Sequence, residues 1–259
     1  MRPARLAVTL TAHGSRDPRA ARATEALTRA VARRRPEWEV RASYLDHAGP
    51  RPREVLGAFA DAGHRHAVLV PLLLTSAYHG RVDVPGEITA ARAEHPALRV
   101  EQAGVLGPID GRVPELLLDA LVARLPAATP ATPGGGAAPD ALVLAAAGTR
   151  NADARATVEE AAAALSDRLG MPCRVAYASA APPLSGDVVR DLRAAGHDRV
   201  ALVSYFLAPG LLWDSTLASA REAGVFAAGE PMTDASALAE LVVARVLEVS
   251  ARPVVAVAA

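Results

Sequence analysis

Three side chains form a set that could handle a metal ion or a proton, His13, Asp46 and His79, and His47 follows Asp46 directly. Imidazole titrates close to neutral pH and binds divalent metals as the neutral ring. Two imidazoles and a carboxylate, with positions left open, suit a divalent transition metal. The same groups suit proton transfer near neutral pH. Taken singly, each also fits an ordinary turn or capping role, so the argument depends on where the chain puts them.

Their positions follow from a repeating pattern. A short β-type run, Leu6–Thr11, ends in Ala12-His13-Gly14-Ser15-Arg16-Asp17-Pro18. Asp17 before Pro18 is a helix start, N-cap then first turn, and Thr24, Leu27 and Val31 recur at helical spacing. A second strand, Val40–Leu45, is followed at once by Asp46 and His47. Val55, Leu56 and Phe59 mark a helix closed by Gly63. Ala67–Leu74 is an apolar run typical of a strand buried on both faces, and it leads through Tyr78 to His79, Arg81 and Asp83. A helix over 86–94, a strand near 99–103 and a helix over 113–125 complete this portion. Strands alternating with helices predict a parallel sheet with helices on both faces. In such sheets ligands bind beyond the carboxyl ends of the strands, which is where all four side chains fall. Gly14 and Gly80 are expected to serve backbone conformation. The other histidines, His64, His66, His95 and His197, lie near turns or helix ends and are expected to be solvated.

The segment Pro126–Pro139, PAATPATPGGGAAP, has a linker composition. Beyond it the pattern restarts. Ala141–Ala146 repeats the first strand, Cys173–Tyr177 echoes Val40–Tyr44, and Ala194–Val200 echoes Asp61–Ala67. Tyr44 to Tyr177 and Gly63 to Gly196 share one offset, since 177 − 44 and 196 − 63 both equal 133. A shared offset across separate elements indicates internal duplication. The predicted organisation is a domain over 1–125, a linker over 126–139 and a second domain over 140–259. His13 falls opposite Ala147, and the offset carries His79 to Leu212. The second half therefore keeps the elements and loses the histidines, as expected of one active half and one supporting half. The stretch Ser204–Trp213 replaces the His79 region with Tyr205, Phe206 and Trp213, which suit core packing or an apolar wall facing the histidines across a cleft.

Composition excludes several classes. The chain has 259 residues and 51% hydrophobic side chains, enough for a sizeable core. Its formal net charge is +0, against the basic excess of a nucleic-acid binder. It contains no lysine, which removes Schiff-base chemistry and a Walker A phosphate loop. A single cysteine, Cys173, excludes an internal disulfide and a cysteine-built zinc site. No segment approaches a membrane span, and the N-terminal run reads as a strand rather than a signal peptide. A reducing cytoplasm is the expected compartment.

Together, Ala12-His13-Gly14-Ser15-Arg16, the Tyr44-Leu45-Asp46 strand end, and Val70-Pro71-Leu72-Leu73-Leu74-Thr75-Ser76-Ala77-Tyr78-His79 with Asp83-Val84-Pro85 resemble the sirohydrochlorin chelatase family of the CbiX/SirB type, class II chelatases. The resemblance covers nearly the whole chain, as a long, duplicated member. It implies two chelatase-like α/β halves and ATP-independent insertion of Co²⁺ or Fe²⁺ into sirohydrochlorin, for cobalamin or sirohaem synthesis. Ni²⁺ is a further metal to be considered, and no cofactor beyond the substrate metal is expected. By this resemblance His13 and His79 hold the metal and assist removal of the pyrrole protons. Asp46 stands where the family often has Glu. Arg16, Arg81 and Tyr78 are candidates for binding the carboxylate-rimmed tetrapyrrole, bidentately for the arginines. The expected partners are a tetrapyrrole and a divalent metal, with neither nucleic acid nor membrane, and the chain is expected to act as a monomeric fused pseudo-dimer. A carrier that binds metal or tetrapyrrole without inserting is the alternative.

Overall fold

The computed structural model describes residues 6–75, 83–125 and 138–251. Chain order is β1 (Ala7–Ala12), α1 (Pro18–Arg34), β2 (Glu39–Tyr44), α2 (Pro52–Asp61), β3 (His66–Pro71), α3 (Val84–Glu94), β4 (Arg99–Gln102) and α4 (Glu115–Val122). The second half runs β5 (Ala141–Ala146), α5 (Ala152–Leu169), β6 (Cys173–Tyr177), α6 (Ser185–Ala194), β7 (Val200–Ser204), α7 (Leu211–Glu222), β8 (Ala227–Ala228) and α8 (Ser236–Ser250). Each half holds one parallel four-stranded sheet, in the orders β2-β1-β3-β4 and β6-β5-β7-β8. The α/β architecture with two similar halves is thus the one expected from the alternating pattern.

Local chemistry accounts for the helix ends. The Asp17 carboxylate accepts the Arg19 backbone N–H at 2.8 Å and caps α1, with Pro18 in the first turn. Asn151 caps α5 in the same way, accepting from Ala154 N at 2.9 Å. Gly170 then closes α5 in the left-handed region, where a side chain would be strained. The largest differences from the expected boundaries are at β3, which stops at Pro71, and at α4, which runs only from Glu115 to Val122.

Among the described residues, three apolar clusters form the core. One lies under α2 and α3 and includes Phe59, Leu69 and Ile88. Its counterpart under α6 and α7 includes Val188, Leu202 and Trp213. The third is continuous through both halves, from Leu10 and Val70 to Leu144 and Val203. The last described helix, α8, packs on α1, β3 and β4 of the first half, while α4 packs on α5 and α8. Arg245 of α8 donates to the carbonyls of Val105 and Gly107 in the first half, at 2.9 and 3.4 Å. Arg168 of α5 pairs with Glu115 and Asp119 of α4.

The linker expected over 126–139 falls almost entirely outside the described residues, as do Tyr78, His79 and Arg81. The offset that carried His79 to Leu212 does not hold there. β3 and α3 are separated by twelve residues, 72–83, and β7 and α7 by six, 205–210, so α7 begins at Leu211. The shorter connection breaks the register after β7, and Leu212 is a helical residue rather than the counterpart of His79.

Candidate functional site

In both sheets the chain leaves the first strand toward one edge and returns on its other side. The strand order therefore reverses between β1 and β3 and between β5 and β7, the place where open α/β sheets bind ligands. The two reversal points line one cavity of about 450 Å³, within the usual range of ligand pockets. Residues 12–15 and 72–75 line it from the first half, and 146–149 and 205–213 from the second. Tyr44 and Tyr177, the last residues of β2 and β6, also line it.

His13 stands on this lining immediately after β1 and is exposed. Its neighbours come from the end of β2. The Asp46 N–H donates to the His13 carbonyl at 2.8 Å. A Cβ on Gly14 would lie 1.7 Å from the Asp46 carbonyl oxygen, so only glycine allows the two turns to meet. Gly14 also has φ +96°, outside the comfortable range of other residues. The His47 ring meets the His13 ring edge to face, with centroids 6.2 Å apart. Asp46 Oδ1 accepts the His47 backbone N–H at 2.8 Å, and Oδ2 lies 3.6 Å from His47 Nε2. That backbone bond holds the Asp46 carboxyl below its usual range; partial desolvation opposes the shift, and His47, Arg51 and His13 reinforce it. Asp46 is therefore an anion at neutral pH and favours a cation beside it.

The expected convergence of His13 and Asp46 on one rim is present, and His47 joins them. Arg16 follows closely but is exposed and is not part of the cavity lining. Tyr78, His79 and Arg81 lie outside the described residues; Thr75, just before them, lines the cavity. The expectation that the remaining histidines are solvated fails for His64. Its side chain is only 9% exposed and bonds Glu39 at 2.7 Å. His66 is bonded to Glu101 at 2.6 Å. None of these four residues lines the cavity.

The second half supplies a wall. Ala147 and Ser179 take the places of His13 and Asp46: Gly148 has φ +89°, and a Cβ there would lie 1.9 Å from the Ser179 carbonyl oxygen. Within 205–213, Phe206 and Trp213 pack against each other with ring centroids 5.7 Å apart. Leu211 is 80% exposed and Leu212 41% exposed, both on the cavity lining. The Tyr205 hydroxyl donates to the Leu74 carbonyl at 3.3 Å, tying this wall to the first half. Arg19 bridges Asp17 and Asp214 across the halves, at 2.6 and 2.5 Å. Burial pushes the Cys173 thiol up to about 12, against a weaker opposing bond from Leu144. It stays protonated at neutral pH and is no rival ligand.

Fold and site define a duplicated α/β protein with a largely apolar cleft between its halves, with His13 on its first-half lining and Asp46 and His47 just outside it. The CbiX family model matches residues 7–125 and again 141–249, and the chain belongs to that family. Solved structures share the fold. SirB from Bacillus subtilis with Fe³⁺ has a TM-score of 0.80 at 21% identity, covering 95% of this chain and 96% of that one. SirB from Bacillus subtilis subspecies spizizenii, in complex with cobalt, has 0.77 at 19% identity, covering 96% and 97%. CbiX, described as the terminal enzyme for biosynthesis of siroheme in denitrifying bacteria, has 0.61 at 22% identity, covering 93% and 98%. No curated protein matches the sequence.

Proposed function

We propose that the protein is a sirohydrochlorin chelatase, a lyase that inserts Co²⁺ or Fe²⁺ into sirohydrochlorin without ATP. The observation that carries this reading is the cleft itself: His13, with Asp46 and His47 beside it, stands opposite an apolar wall from the second half. A flat macrocycle, apolar at its centre and acidic at its edge, fits such a slot. Membership in the CbiX family over both halves supports the same activity.

In this scheme residues 1–125 carry the chemistry and residues 140–259 form the wall, joined by the 126–139 linker. The macrocycle enters between His13 and residues 205–213, burying Leu211 and Leu212. Insertion replaces two pyrrole N–H protons with one divalent ion, so two protons must leave. His13 and His79 hold the ion and accept those protons, because neutral imidazole is both a ligand and a base near pH 7. The Asp46 carboxylate stabilises the cation at the rim. Tyr78, Arg81 and Arg16 bind the acidic edge. The chain acts as a monomer in the cytoplasm, its two halves standing for the two subunits of a dimer.

The test is an anaerobic absorbance time course with metal-free sirohydrochlorin and, separately, Co²⁺, Fe²⁺ or Ni²⁺, against metal and tetrapyrrole alone. Many turnovers per protein are expected with Co²⁺ or Fe²⁺. His13→Ala and His79→Ala should each lower the rate at least about a hundredfold, the scale of a lost acid–base group. A spectral change that stops at one equivalent would replace the enzyme with a carrier.

A further inference from the structure

We propose that His47, with Asp46, forms a metal-capture station on the solvent side of His13, where the incoming ion is held before it meets the macrocycle. This deepens the chelatase reading and rests on it. His13 lines the cavity, whereas Asp46 and His47 do not, and all three are exposed. His13 is thus the residue shared between the cleft and a small polar group facing solvent.

That group is locked in place by the backbone. Asp46 binds the His13 carbonyl through its N–H, and its carboxylate holds the His47 N–H at 2.8 Å. The two imidazoles meet edge to face at 6.2 Å, and Asp46 Oδ2 is 3.6 Å from His47 Nε2. Nitrogen and carboxylate donors suit first-row divalent ions. Among the described residues no three such side chains close on a single point.

The second half provides an internal comparison. His47 has φ +59° and Ala180 has φ +64°, at matching places after β2 and β6. The left-handed backbone is therefore a demand of the fold, present in both halves, and says nothing about chemistry. The side chains do. Where the first half has His13, Asp46 and His47, the second has Ala147, Ser179 and Ala180. His47 changes together with its two neighbours, as a member of one functional group would.

The experiment uses the full chain, with His47→Ala and, because Asn tolerates left-handed backbone, His47→Asn. Co²⁺ alone is titrated into each protein, and insertion kinetics are measured with metal and tetrapyrrole varied in turn. We expect Co²⁺ affinity to fall and KM for metal to rise by roughly tenfold or more, the scale seen on losing groups around a metal site. Values of kcat and KM for tetrapyrrole should stay within about twofold, whereas His13→Ala should lose kcat. Unchanged Co²⁺ affinity and metal KM in a folded variant, or a wild-type chain that binds no Co²⁺, would overturn the proposal. If the wild type binds Co²⁺ through His47 yet inserts none, the station stands and the chelatase reading fails.

Discussion

Asp46 is held as an anion by the peptide N–H of the next residue, so its use at the rim is electrostatic rather than as an acid. Asp46→Asn keeps the size and removes the charge. The insertion rate should fall clearly, with the effect in KM for metal, while Asp46→Glu should retain most of the activity; both are read from the same kinetics. Because the folded carboxyl titrates below its unfolded value, its contribution to stability is present above the ordinary carboxylate range. It is lost as pH falls through the lower, folded value. Gly14→Ala should act differently, since a Cβ meets the Asp46 carbonyl at 1.7 Å and φ is +96°. The backbone conformation alone costs ~1–3 kcal/mol, so thermal denaturation should show a lowered Tm, and activity should fall with it because His13 is displaced. His13 and Asp46 were legible from sequence because a strand followed by a polar turn fixes their place. His47 gave a weaker signal: a histidine in a turn is ordinary, and only comparison with Ala180 in the second half separates it from one. His64 was misjudged because its partner, Glu39, arrives from another strand.

At the level of elements, α8 is the least expected feature. Nothing in its local sequence says that it will cover β3 and β4 of the other half. Arg245 shows what holds it there. This guanidinium is buried and serves the carbonyls of Val105 and Gly107, with Glu248 on its remaining edge. Replacing it with Ala strands two inward-facing acceptors and leaves Glu248 without its partner. Arg245→Ala should destabilise by about 1–3 kcal/mol, the range for an unpaired buried polar group, measured by urea denaturation. Leu238→Ala on the same helix, where the side chain is fully buried, should cost about 2–5 kcal/mol through the cavity it leaves. The wall of residues 205–213 was half legible: its aromatic content pointed to either packing or a cleft, and it does both. Trp213 packs beneath while the neighbouring leucines stay open on the cavity. The length of its connection was not legible, because an offset taken from strands and helices does not register six residues missing from a loop.

At the scale of the whole molecule, the two sheets share one apolar cluster, built from α1, α4, α5 and α8 between them. The repeated sequence pattern announced two halves but carried no information about this exchange, because each helix is equally amphipathic whichever sheet it covers. The consequence is that neither half owns all of its core. Residues 1–125 alone would lack α8, leaving the α8-facing sides of β3 and β4 and the buried faces of α4 open to water. Residues 138–259 alone would lack the cover that α4 gives α5, including the Glu115 and Asp119 partners of Arg168. Apolar surface returned to water costs roughly 25 cal/mol per Å², and a domain's net stability is only about 5–15 kcal/mol, so exposing a helix-sized face is enough to abolish it. Each half expressed by itself should therefore show no cooperative thermal transition and should aggregate. The two halves expressed together should assemble into one particle of the mass of the intact chain, recovering Co²⁺ binding. A first half that folded alone with a sharp transition would show that α8 is dispensable, and that the shared cluster is a contact between finished domains rather than a common core.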